Sequence, residues 1–135
     1  MIKFKGGYRY QLVDDYRIKL ERVRSSKQIV TNRSWVRLQK SGWLELKAGY
    51  CWDGASGPAI DTKRIMRGSL VHDALYQLLR SEYLAPECRK QADEELRRIC
   101  LEDGMSKVMA FLVYWSVRIF GKPASVGKKP VMEAP

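Results

Sequence analysis

The sequence predicts an α+β fold in which N-terminal antiparallel strands, as a meander or hairpins, precede a glycine loop and three helices. Three observations carry this. Up to residue 50 the chain alternates apolar and charged residues with period two, in "YRYQLV", "YRIKLERV", "WVRLQ" and "WLELK", the pattern of half-buried strands. From 48 to 61, "AGYCWDGASGPAID" breaks all periodicity with glycines and a proline. Beyond it, apolar residues recur at steps of three and four.

Taken in order, Asp14-Asp15 and the "KSG" at 40–42 read as turns between strands. Tyr50 and Trp52 can anchor the loop that follows. A first helix is predicted near Lys63, capped by Asp61 or Thr62, with Ile65, Ser69, His72, Tyr76 and Leu79 on one face. Pro86 opens a second helix that runs to about Glu102 and closes at "DG"; Ala92, Leu96 and Ile99 form its inward stripe, with Asp93 at the edge. The short link "SEYLA" makes these two helices antiparallel, so that His72 and Asp93 face each other. A third helix, Ser106 to about Phe120, is apolar nearly all round ("KVMAFLVYWSVRIF") but falls short of the roughly 20 residues that span a bilayer. Buried core is its first reading; a partner helix, an oligomer contact or the plane of a membrane surface are the others. Trp35, Trp43, Tyr114 and Trp115 read as core or anchor residues. A length of 135 residues with 45% hydrophobic content suits one domain over 1–122, with a basic β part to residue 50 and a loop plus helical part after it. Residues 123–135 read as a mobile tail.

The net charge of +10 is unevenly placed: residues 1–50 hold twelve Lys/Arg against four Asp/Glu, which is +8, leaving +2 for the rest. Such a basic face attracts the phosphates of nucleic acid or of an anionic membrane, although a solvated strand face needs no partner. No recognised nucleic-acid motif accompanies it. The first residues lack a long apolar stretch, which predicts a protein kept in the cytoplasm. Cys51, Cys88 and Cys100 are widely spaced and read as free thiols; zinc held by thiolates and His72 is the sharper alternative.

The only histidine, His72, stands next to Asp73. If Asp93 accepts a hydrogen bond from one ring nitrogen, the other can take a proton from water. Asp73 and Asp53 can then offer carboxylates, and the glycine loop its carbonyls, to a hard cation such as calcium. Burying one imidazole and two carboxylates without a partner is costly, which favours a site over simple packing. Ser56 has no base beside it and is not read as a nucleophile.

"CWDGASGPAIDTKRIMRGSLVHDALY" followed by "ADEELRRIC" resembles, over residues 50–100, the secreted phospholipases A2, in which a glycine-rich calcium loop precedes a helix bearing His-Asp with Tyr four residues after the His. The resemblance implies that His72 is the general base, that Asp93 orients it and that Tyr76 supports Asp93. It further implies a calcium ion held by Asp73 and by the carbonyls of Trp52, Gly54 and Ser56, and a phospholipid ester as substrate. Where that family places paired cysteines before the His-Asp dyad, this chain has Gly68 and Ser69. Nearly the whole chain is also similar to a family of small bacteriophage and prophage proteins of unknown function: strands, then "AGYCWDGASGP", "HDALY", "RKQADEEL" and an apolar helix ending in "RIFGKP". That likeness implies a phage origin, in the host cytoplasm or with the virion, and a phage structural protein as a possible partner. It implies no activity, and leaves a non-enzymatic virion or assembly component as the alternative to a hydrolase.

Overall fold

The computed structural model describes residues 4–5, 10–53 and 62–126. Seven short strands come first: β1 (Phe4–Lys5), β2 (Tyr10–Leu12), β3 (Tyr16–Lys19), β4 (Ile29–Val30), β5 (Val36–Leu38), β6 (Trp43–Leu46) and β7 (Cys51–Trp52). Four helices follow: α1 (Thr62–Arg80), α2 (Arg89–Glu102), α3 (Lys107–Phe120) and the single turn α4 (Lys122–Ser125). The α+β class is as the sequence predicts. All strand pairs are antiparallel, in two sheets of order β1-β2-β7 and β3-β6-β5-β4.

The expected hairpin and meander connections are present, β1 to β2 and β4 to β5 to β6, but they are divided between two sheets. Asp14-Asp15 is no hairpin turn; there the chain leaves one sheet for the other, and the Asp15 carboxylate accepts the Ala48 N–H at 2.7 Å. The "KSG" turn does close a hairpin, joining β5 to β6. Cys51 and Trp52, expected in the loop, form a strand because β2 offers them an open edge. The register puts Ile18, Leu44 and Leu38 across from one another on the buried face, and Arg17, Glu45 and Arg37 on the outer one. The period-two pattern records this alternation, each buried aliphatic side chain contributing about 1.5–3 kcal/mol.

The helix ends follow from their residues. Past α1, the Tyr83 N–H bonds the Leu78 carbonyl and the Glu82 N–H that of Leu79, with Glu82 at φ 66. This pair of bonds closes a helix through a left-handed residue. Gly104, at φ +95, does the same for α2, with Met105 N–H on Cys100 O. Ser106 caps α3 by accepting the Met109 N–H at 3.1 Å. Pro86–Cys88 is a 3-10 turn, so α2 itself starts only at Arg89.

One core cluster runs through both sheets and the α1–α2 pair, from Leu12, Leu38 and Leu44 to Leu70, Leu75 and Ile99. Helices α1 and α2 approach closely at Gly68, where a Cβ would stand 3.0 Å from Leu96 Cδ1 and 3.1 Å from Cys100 Sγ. Helix α3 departs from the buried-core reading. Ala110, Val113 and Tyr114 are buried, but Trp115, expected in the core, is 46% exposed, and Phe111, Leu112 and Ile119 are exposed with it. The α4 turn was not predicted; it falls in the stretch read as tail, of which 127–135 lie outside the described residues.

Candidate functional site

The five residues predicted to share one face of α1 are all buried, His72 and Tyr76 among them. Opposite them, Asp93 of α2, expected at the edge of the inward stripe, is as fully buried as the stripe itself. His72 Nε2 lies 2.7 Å from Asp93 Oδ1, and the Tyr76 hydroxyl donates to the same oxygen at 2.6 Å. The imidazole and phenol rings stack with centroids 4.1 Å apart. Arg118, from α3, donates to Asp93 Oδ2 at 2.8 Å, and Arg89 stands 3.6 Å from it. Arg89 also donates to the Tyr76 oxygen at 3.2 Å and to the carbonyls of Val117 and Arg118, holding the last turn of α3 against the site.

Burial alone would raise the Asp93 pKa. The hydrogen bonds from His72, Tyr76 and Arg118 outweigh it and hold the carboxyl below its ordinary value, so Asp93 is ionised. A carboxylate can only accept, so the hydrogen in this contact sits on His72 Nε2, and the Nδ1 lone pair belongs to the neutral form of the ring. The Tyr76 phenol is pushed up by burial and by Asp93, and stays protonated.

Asp73, one residue along α1, faces the strands. Its Oδ2 accepts the backbone N–H of Asp53 at 3.1 Å. Burial pushes its carboxyl up to about 6, against the pull of His72, the Asp53 amide and Arg80. A carboxylate so weakly compensated beside the loop has the chemistry a hard cation takes. Asp53 therefore reaches Asp73 through its amide, while its side chain is exposed. Trp52 is anchored through Nε1, which donates to Ser69 Oγ at 3.1 Å, and by its ring against Tyr10. Tyr50 donates to Gln77 at 3.0 Å, a second tie between the start of the loop and α1.

Gly54 and Ser56, expected to offer carbonyls, lie outside the described residues, as do the rest of 54–61 and with it Asp61, one of the two predicted caps of α1. Among the described residues no three of His, Cys, Asp and Glu converge as a metal group. Asp73 and Asp53 fit a cation only with oxygens added from that loop. The free cysteines are dispersed: Cys51 exposed, Cys88 half-buried, Cys100 buried with its thiol pushed up to about 12 by burial.

The sequence reading missed two residues of this network, Arg89 and Arg118, and a separate buried carboxylate, Glu95. Arg89 had a signal, standing one helical turn before Asp93 on the same face. Arg118 had another, as a lone cation inside an apolar helix. Glu95 had none to separate it from a solvated glutamate, yet it is fully buried. Its Oε2 accepts three successive backbone N–H groups, of Glu21, Arg22 and Val23, at 2.6–3.0 Å, and its Oε1 the fork of Arg98. The carboxylate thus ties the chain after β3 to α2, two residues from Asp93.

Comparison with protein-family models, with curated proteins and with solved structures finds no match to this chain.

Proposed function

We propose that this protein is a phage- or prophage-derived hydrolase of the phospholipase A2 type, in which His72 takes a proton from the water that attacks a phospholipid ester. The observation that carries the reading is the 2.7 Å contact of His72 Nε2 with Asp93 Oδ1, which makes Nδ1 the nitrogen that accepts a proton in the neutral ring. The proton moves from water to Nδ1 and then to the departing alcohol oxygen, and Asp93 stabilises the imidazolium in between. Tyr76 and Arg118 hold Asp93 in place. Asp73 and Asp53, with the carbonyls of Trp52, Gly54 and Ser56, would hold calcium. A calcium ion there supplies positive charge that polarises the ester carbonyl and steadies the developing oxyanion.

The test uses a short-chain phosphatidylcholine dissolved below its micelle concentration. Fatty acid release that needs calcium and falls sharply in Asp73→Asn is expected. Release indifferent to chelator and to Asp73→Asn would overturn the calcium assignment.

The grip on Asp93 by side chains of three helices favours a second reading, a non-enzymatic virion or assembly component in which His72 and Asp93 only lock the helices. It predicts co-purification with virions and no hydrolysis by the parent protein. Recovery from infected cells only as a free monomer counts against it.

A further inference from the structure

Helix α3 is apolar on two opposite sides, and only one is used. Ala110, Val113 and Tyr114 pack inward, while Val108, Phe111, Leu112, Trp115 and Ile119 recur at helical spacing on the outer side, each 46–70% exposed, with Phe120 beyond them at 76%. Lone exposed apolar residues are ordinary, whereas a continuous stripe along a whole helix marks a contact surface. Trp115 is fixed by Phe111 and Tyr114, with ring centroids at 6.4 and 5.3 Å.

The surrounding charge selects the occupant. From Gly104 to Met132 the sequence has no Asp or Glu, and with Arg118 paired to Asp93 the cations that border the outer face of α3 are Lys107, Lys122 and Arg97. Lys107, the first residue of α3, and Lys122, just after its end, are exposed. Arg97 of α2 lies over the Tyr114 ring at 5.6 Å, exposed beside the same helix. A second copy laid against α3 would bring these cations toward their own kind, with no carboxylate on the segment to neutralise them. An anionic lipid surface meets both needs at once, taking the aromatic and aliphatic stripe into its acyl boundary and the lysines among its headgroups. The helix is too short to cross a membrane, so it would lie in the plane of the surface.

We propose that the outer face of α3 docks the protein on anionic membranes. Docking needs neither hydrolysis nor calcium and is tested apart from them, with the full-length protein in chelator so that the lipid stays intact. Co-sedimentation is measured with vesicles of phosphatidylglycerol and phosphatidylcholine in equal parts, and with phosphatidylcholine alone. Binding to the mixed vesicles is expected to weaken with added salt, to be far weaker on the neutral ones, and to fall about tenfold or more in Leu112→Glu. Leu112 is exposed, so the variant should keep the parent's circular dichroism. Lys107→Glu/Lys122→Glu should lose binding while keeping the apolar stripe. Equal binding to both vesicle types, or none, would overturn the proposal. So would a parent dimer in sedimentation equilibrium that Leu112→Glu dissolves, which would give the face to a second copy.

Discussion

Asp73 and Asp93 sit on facing helices close to one imidazole, yet their environments drive them in opposite directions. Asp93 is held below the ordinary 3.8, so the stability it contributes is full above that value and is lost as pH falls through its lower folded one. Asp73 is raised to about 6, so its contribution is full below 3.8 and is lost as pH rises through about 6. Asp73→Asn should therefore stabilise the protein at pH 7 by about 1–2 kcal/mol, with no gain below pH about 4. Urea denaturation at the two pH values checks this. Calcium should raise the melting temperature of the parent and not of Asp73→Asn. Asp93→Ala leaves the Nε2–H of His72, the Tyr76 hydroxyl and Arg118 without their shared acceptor and should cost about 3–5 kcal/mol. Much of this site was legible: a lone histidine on an apolar face, a short link, and an aspartate on the next helix were enough to pair His72 with Asp93. What hid Arg118 and Glu95 is that a buried charge looks like a solvated one until its partner is known, and both partners are distant in the chain.

At the scale of elements, helices were easier to read than strands because their contacts are local. Ser106 and Gly104 announce ends that depend only on neighbours, whereas β4 and β7 have two residues each and exist only because β5 and β2 lie alongside. Glu82 runs against its own backbone, a non-glycine residue in the left-handed region that closes α1. Glu82→Gly should raise stability by about 1 kcal/mol, read as a shift in urea midpoint at constant slope. Gly68 works the other way. Its missing side chain lets α1 and α2 meet closely, and Gly68→Ala should cost about 1–3 kcal/mol and loosen the His72–Asp93 contact. The outer face of α3 could not be told from its core face by periodicity, because both are apolar.

Across the whole molecule, one apolar cluster joins the sheets to the helices, and Glu95 adds a polar tie from α2 to the chain after β3. Strands and helices should therefore unfold together, with tryptophan fluorescence and far-ultraviolet circular dichroism giving coincident urea transitions. Two separated transitions would show that the basic N-terminal part stands alone. Charge is divided differently from packing: the N-terminal strands carry most of the excess, and the acid-free segment around α3 carries a second share beside an apolar stripe. Both place positive charge on the molecule that carries the His72 site. The most direct measurement is fatty acid release from mixed phospholipid vesicles by the parent and by His72→Ala, each with calcium and with chelator. Calcium-dependent release by the parent that falls by about 10² to 10⁴ in His72→Ala is the predicted result. Equal release by the two proteins, or none from the parent with calcium present, would contradict a hydrolase built on His72.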